Sequence, residues 1–95
     1  MLIGTLTIQF RLHGIFSKKE KRSIAEKLKQ KLRNKFNVSV AEIGAQDSLD
    51  FLILAIITVA NESRRVDSIL NKALIMLESL TSEEIIDVST EIFSA

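Results

Sequence analysis

Residues 51-FLILAIITVA-60 contain a single polar side chain, that of Thr58, and both alternating rows of this stretch are apolar. A strand of this kind lies in the middle of a sheet whose two faces are covered, or it turns one face towards another subunit. The stretch therefore predicts a central strand. Which row faces the interior stays open, because both rows are apolar. One of the rows consists of Phe51, Ile53, Ala55, Ile57 and Val59.

Three other segments have the alternating pattern of strands with one buried face. Residues 2–12 alternate over their whole length, and shorter alternating segments occupy residues 38–44 and 85–93. Period two with β-branched residues is the pattern of a half-buried strand. In the last segment the alternation predicts an inner row of Ile86, Val88 and Ile92, with Ile85 on the outer face.

Two segments have the 3.6-residue period of helices. The first begins at a capping box formed by Ser17 and Glu20, in which each side chain satisfies a free backbone N–H at the helix start. Its apolar stripe continues through residues 17–36. The second helix follows the strand at 51–60, and we expect either Asn61 or Ser63 to cap its start.

The order of elements is therefore β-α-β-β-α-β. Right-handed crossovers place both helices on one face of a four-stranded antiparallel sheet. We predict a single ferredoxin-like α+β domain over residues 1–95, with the first and third strands at the centre of the sheet. The other face of the sheet is left open, and a folded domain rarely leaves an apolar row in contact with water. A homodimer formed through this open face is the expected assembly.

The composition excludes several kinds of functional site. The chain has no cysteine and one histidine, His13, which excludes disulfides, thiolate metal sites and multi-histidine metal sites. No cofactor is expected. The longest apolar run, at 51–57, is far shorter than the ~20 residues that span a bilayer. Because the first residues also lack a signal-peptide pattern, we expect a cytoplasmic protein with no membrane contact.

The charge of the chain is concentrated in the first helix. Nine of the twenty residues at 17–36 are Lys or Arg and two are Glu, which gives +7 in a chain of net charge +1. Such a helix is suited to contact phosphates, although Lys and Arg also favour helices and solubility in general. At about 100° per residue, four of the cations share one narrow arc beside the apolar stripe. The candidate phosphate-binding residues are Lys18, Lys19, Arg22, Lys29 and Arg33.

Two other lysines of this helix, Lys21 and Lys35, point nearer the apolar stripe. We expect them at the border of the sheet, where Glu42 is available to pair with one of them. The absence of Trp and Tyr argues against base stacking on the sheet, the commonest mode of RNA binding by this fold. Contacts to nucleic acid are therefore expected at phosphates, without reading of DNA sequence.

The loop at residues 11–19 is a second candidate site. It joins the first strand to the N-terminus of the basic helix, where free N–H groups can hold an anion. His13 is also a candidate general base, but no carboxylate or nucleophile partner is evident for it in the sequence. Binding is therefore favoured over catalysis. The residues of this possible anion loop are His13, Gly14 and Ser17.

Three segments spread along the chain carry a resemblance to a known family. These are SKKEKRS at 17–23, which is similar to the start of that family's first helix, RNKFNVSVAEIGAQD at 33–47, and IIDVSTEIF at 85–93. In their order and residues they resemble the YlxP-like family of small bacterial proteins. The resemblance implies a ferredoxin-like fold, and it implies a role near translation because the family's genes often lie among translation and ribosome-maturation genes. It supplies no catalytic or binding residues.

Three functional hypotheses follow. The leading one is a non-enzymatic, homodimeric accessory protein that contacts structured RNA or the ribosome through the basic helix at 17–36. The second is a small-ligand or catalytic module, with its site in the 11–19 loop or in a dimer cleft on the open sheet face. The third is a protein-interaction module in which the basic helix meets an acidic partner, such as the acidic last strand of a neighbouring copy.

Overall fold

The structure, a computed structural model, describes residues 1–95 as a four-stranded sheet with two helices. The strands lie in the order β2-β3-β1-β4, and every neighbouring pair is antiparallel. This arrangement confirms the predicted ferredoxin-like fold. Neither helix has the length and apolar character needed to cross a membrane. The elements are β1 (Leu2–Arg11), α1 (Lys18–Lys35), β2 (Ser39–Glu42), β3 (Phe51–Ala60), α2 (Ser63–Leu80) and β4 (Glu84–Ser94).

The pairing of β1 with β3 decides which apolar row of β3 is buried. Leu6 lies opposite Ile56 and Ile8 lies opposite Leu54, so the single buried row of β1 selects the matching row of β3. All four of these side chains are inaccessible or nearly so. The other row of β3, which begins at Phe51, therefore faces away from the helices. It forms part of the open sheet face.

Both helices pack on the buried face of the sheet through small and aliphatic residues. Gly4 of β1 lies directly beneath α2, and a Cβ at this position would collide with the Val66 side chain. The glycine thus permits close contact between helix and strand. The helix residues of the core are Ala25, Leu28 and Leu32 from α1 and Val66, Leu70, Ala73 and Leu77 from α2.

The last strand departs from the predicted alternation. A bulge opposite Gln9 and Phe10 shifts the register of β4, so that Ile85 lies opposite the buried Phe10 and packs against the core. The prediction of Ile85 on the outer face was wrong for this reason, because a bulge reverses the alternation locally. Ile86 is left exposed.

The helix starts agree only in part with the predicted caps. The Ser17 hydroxyl accepts from the N–H of Glu20 at 3.2 Å, as the capping box requires. The Glu20 carboxylate accepts instead from the N–H of Phe16, one residue before the cap. The second helix begins after Glu62, whose side chain makes no capping hydrogen bond, so the expected cap at Asn61 or Ser63 was wrong.

Candidate functional site

Lys21 of α1 is the most buried charged residue of the protein, with 3% of its surface exposed. Its Nζ lies 3.3 Å from a carboxylate oxygen of Glu42, which confirms the expected pairing at the sheet border. The same Nζ donates to the carbonyl oxygens of Ala45 at 2.6 Å and Ser48 at 2.7 Å. Lys21 therefore ties the β2–β3 loop to α1, and its charge is not available to a partner.

Three of the five predicted phosphate-binding residues also contact the protein itself. Lys18 Nζ lies 3.0 Å from Asp47, and both side chains are largely exposed. Lys29 Nζ lies 2.7 Å from Glu26, one turn earlier in the helix. The Arg33 guanidinium donates to the carbonyl oxygen of Val40 at 3.0 Å. These contacts hold the cations in place without removing their charge.

The ion pairs of α1 lower the pKa of the carboxyl groups that take part in them. The hydrogen bond and charge of Lys29 hold the pKa of Glu26 below its ordinary value, with smaller contributions from Arg33 and Arg22. Lys18 lowers the pKa of Asp47 in the same way. Both carboxylates therefore stay ionised at neutral pH and offset only part of the charge of α1.

Lys19 and Arg22 are exposed and form no ion pair or hydrogen bond with the rest of the protein. Lys27 and Lys31, which the sequence analysis did not select, are exposed in the same way. Lys35, at the end of the helix, is exposed and unpaired as well. We refer to Lys19, Arg22, Lys27, Lys31 and Lys35 as the free cations of α1. The arc criterion selected residues beside the apolar stripe, but position relative to the stripe does not separate free cations from bound ones, because Arg22 lies in that arc and is free.

The acids of β4 do not neutralise this helix. β4 forms one edge of the sheet, whereas α1 packs against β2 at the opposite edge. Asp87 and Glu91 thus lie at the opposite edge of the sheet from α1, whereas Glu84 contacts His13 in the loop that leads into the helix. The strongly positive helix and the acidic strand are separated within one molecule, so both remain available to partners.

A small concave site lies where the start of α1 meets the β2–β3 loop. Its cavity of about 220 Å³ is lined by polar residues only. Arg22 and Gln46 contribute donors that are not used elsewhere, while Lys21 and Glu42 are paired with each other. The remaining lining residue is Lys18.

The second helix also carries exposed basic residues. Lys35 of α1 and Lys72 of α2 line the same groove between the two helices. Lys72 also lines a second groove together with Arg64 and Arg65. Arg64 and Arg65 therefore form a second basic area, at the start of α2.

In the 11–19 loop, two carboxylates already lie at the possible anion site. The backbone N–H of His13 donates to Glu83 at 3.1 Å, and the imidazole Nε2 lies 3.5 Å from Glu84. Gly14 adopts a left-handed conformation with φ +71°, and the Ser17 hydroxyl is occupied as the helix cap. The imidazole of His13 thus has a carboxylate neighbour, Glu84, that the sequence did not reveal, because the two residues lie in distant segments of the chain. Anion binding at His13, Gly14 and Ser17 stays a prediction.

The open sheet face carries an apolar cluster. Ile3 lies between Val59 and Phe93 in the register of the sheet, and Ile57 is the next residue of β3 on this face. The exposed fractions of Ile57, Val59 and Phe93 are 43%, 47% and 45%. Thr5, Thr7 and Gln9 of β1 run beside them. Nowhere do three or more His, Asp or Glu side chains converge on a point that suits a metal ion.

Comparison with known proteins places the chain in a family. Residues 3–90 match the family described as "Protein of unknown function (DUF503)". The chain belongs to this family. As a DUF503 protein it is also similar to the Uncharacterized protein YlxP of Bacillus subtilis (strain 168), with 29% identity over 92 residues that cover 97% of this chain and 100% of the relative. The resemblance to YlxP-like proteins is thereby confirmed.

Solved structures similar to this DUF503 chain share its fold. SnoaB, a cofactor-independent oxygenase from Streptomyces nogalater, is 12% identical with a TM-score of 0.52, and the match covers 98% of this chain and 92% of SnoaB. A dimeric ferredoxin-like protein of unknown function from Thermobifida fusca is 11% identical with a TM-score of 0.51, covering 100% and 92% of the two chains. At these identities the likeness shows the fold alone.

Proposed function

We propose that this DUF503 protein is a non-enzymatic accessory protein that contacts structured RNA or the ribosome through the basic surface of α1. The observation that carries the proposal is the uncompensated charge of the helix. Five cations are free, and the acids of β4 lie at the opposite edge of the sheet. A surface of this kind attracts a polyanion, and its affinity depends on the counterions that the polyanion releases.

The five residues selected from the sequence contribute unequally in this proposal. Lys19 and Arg22 reach phosphates directly. Lys18 exchanges its exposed pair with Asp47 for a phosphate at little cost, since exposed ion pairs contribute about 0–1 kcal/mol. Lys29 and Arg33 act mainly through their charge, because their terminal nitrogens are bound to Glu26 and to the Val40 carbonyl.

The proposed contacts are to phosphates and to the shape of the RNA, not to its bases. The chain has no Trp or Tyr. The commonest RNA-binding use of this fold stacks bases on exposed aromatic residues of the two central strands. β1 and β3 lack such a pair of aromatic residues. Double-stranded or folded RNA presents phosphates at regular spacing, which suits a row of lysines on a rigid helix. Binding is therefore expected to vary little with sequence.

The test uses the same absence of Trp and Tyr. The purified protein absorbs almost nothing at 280 nm, so nucleic acid that copurifies at low salt dominates the ultraviolet spectrum. The variant Lys19→Glu/Arg22→Glu is compared with Arg64→Glu/Arg65→Glu, which makes the same charge change on α2. We expect the α1 variant to lose the nucleic-acid absorbance and the binding of a labelled RNA hairpin. Equal loss in both variants, or no RNA binding by the unchanged protein, contradicts the proposal.

We further propose that the protein is a homodimer formed through the open sheet face. The exposed side chains of Ile57, Val59 and Phe93 support this proposal, because stable monomers seldom expose such an apolar cluster. One structural neighbour is itself described as dimeric. This assembly leaves α1 on the outer surface of the dimer, so it is compatible with RNA binding.

A further inference from the structure

β4 is an unusually exposed edge strand. It is eleven residues long, and all of its residues except Ile85 are exposed. It pairs with β1 along one side only, so its other side presents a row of unpaired backbone N–H and C=O groups. The opposite edge of the sheet, β2, has only four residues. β4 is therefore the edge at which another strand would add.

The side of β4 that faces the helix layer is also incompletely covered. Val88 and Ile92 lie opposite Ile8 and Gly4 and so share the face on which the helices pack. α2 covers this edge only in part, and 41% of Val88 and 37% of Ile92 stay exposed. The strand has no proline and no lysine, two of the usual means of protecting an edge.

We propose that β4 pairs antiparallel with β4 of a second copy, centred on Thr90. In this register Val88 lies opposite Ile92 of the second copy, and the two-fold axis generates that apolar pair twice. Ser89 lies opposite Glu91, and Asp87 lies opposite Phe93. Every apolar residue on the helix side between 87 and 93 gains an apolar partner, and no two acids face each other.

The neighbouring registers are less favourable. Centring the pair on Ser89 places Asp87 opposite Glu91 of the second copy, twice, and like charges directly opposite each other are destabilising. Centring it on Val88 places Ile92 opposite Glu84 and draws the bulge at Ile85 and Ile86 into the ladder. The positions of the two acids thus select the register centred on Thr90.

The resulting assembly is one continuous eight-stranded sheet. A two-fold axis perpendicular to the sheet keeps the helices of both copies on the same side and leaves both open faces free. The contact at β4 is therefore independent of the open-face dimer, and the two together would give a tetramer. It also places the two α1 helices at the far ends of the same face, so it does not depend on the proposed binding of RNA.

A single introduced cysteine tests the register, because the natural chain has no cysteine. Residues paired on antiparallel strands have Cα atoms about 4.5–5.5 Å apart, within the range that a disulfide spans. We expect Thr90→Cys to form a disulfide-linked dimer rapidly under mild oxidation. Ser89→Cys, whose neighbour is expected to be Glu91, serves as the control. No cross-link through Thr90→Cys, or an equally fast cross-link through Ser89→Cys, overturns the proposal.

A charge exchange tests the same contact without a covalent bond. Val88→Lys/Ile92→Lys sets Lys opposite Lys, whereas Val88→Lys/Ile92→Glu sets Lys opposite Glu at the same two exposed positions. Light scattering should show the mass of the Lys/Lys variant halved and that of the Lys/Glu variant unchanged. Far-ultraviolet circular dichroism confirms that both are folded. Equal masses for the two variants, whether both intact or both halved, contradict pairing in this register.

Discussion

The ammonium group of Lys21 lies 3.3 Å from the carboxylate of Glu42, across the boundary between α1 and β2. Since the same group also donates to the carbonyl oxygens of Ala45 and Ser48, one buried cation contacts one oxygen of β2 and two oxygens of the β2–β3 loop. The helix that carries the proposed binding surface is thus joined to the β2–β3 loop by a single side chain. No buried side-chain polar atom of the protein lacks a hydrogen-bond partner.

Replacing Lys21 with methionine is expected to destabilise the fold. The change leaves the Glu42 carboxylate and two carbonyl oxygens without a donor, and loss of one partner of a buried pair costs about 3–5 kcal/mol. Because 22% of the Glu42 side chain is exposed, we expect the lower end of that range. Chemical denaturation measures the change. Lys29→Met removes a pair with an exposed partner and should cost about 0–1 kcal/mol; equal losses from the two substitutions would contradict the role of Lys21.

The loop that Lys21 holds contains a residue in an unfavourable conformation. Ala45 has φ +47°, directly after Gly44 at φ +60°, and this region is costly for residues with a Cβ. Ala45→Gly relieves about 1–2 kcal/mol of strain and costs about 0.5–1 kcal/mol of glycine entropy on folding, so it should stabilise the protein by about 0.5–1 kcal/mol in total. Ala41→Gly in β2, where φ is ordinary, is the matched control and should destabilise. Thermal unfolding that moves in the same direction for both variants would exclude relief of strain.

The pKa of Glu26 offers a direct test of the electrostatics of α1. Lys29 holds this pKa below the ordinary value of 4.5. A carboxyl with a lowered pKa in the folded state stabilises the fold above its unfolded pKa, and this stabilisation is lost as the pH falls through the folded pKa. In Lys29→Met the pKa of Glu26 should rise towards 4.5 in an NMR titration. An unchanged titration would mean that the pair does not persist in solution.

The order of elements and most of the core follow from periodicity in the sequence, because a buried face repeats every 2 or 3.6 residues. The same reasoning placed Lys21 and Lys35 near the sheet border with Glu42 available to one of them, and the structure selects Lys21.

Periodicity could not place Ile85 on the correct face, because a bulge depends on the neighbouring strand. It also could not identify the buried row of β3, because pairing with β1 selects that row. The contact of Arg33 with the Val40 carbonyl could not be predicted either, because it depends on which groups come within reach after folding. The pair of Lys29 with Glu26 follows from i,i+3 spacing in a helix and was missed.

The proposed open-face dimer predicts that a charge at its centre breaks the assembly. Ile57 is 43% exposed and lies opposite Thr5 and Ser39 on this face. Ile57→Lys places a charge in the interface but on the surface of the monomer, so the stability of the monomer should change by less than about 1 kcal/mol. Sedimentation should show the mass of the assembly halved. Ile75→Lys, at an exposed apolar position on α2, is the control and should leave the mass unchanged.

The distinction between free and internally bound cations predicts how RNA affinity depends on salt. Each phosphate contact that is lost lowers the slope of log K against log salt concentration by about 0.9 for a duplex. Lys27→Ala/Lys31→Ala removes two free cations and should lower the slope by nearly two such steps, without loss of stability. Lys29→Ala/Arg33→Ala removes the same charge, but these side chains are bound to Glu26 and the Val40 carbonyl. For this second variant, the slope of log K against log salt concentration should change less, while the denaturant concentration at the midpoint of unfolding falls. If both pairs lower the slope equally, the whole helix acts as a diffuse charge and individual phosphate contacts are not formed.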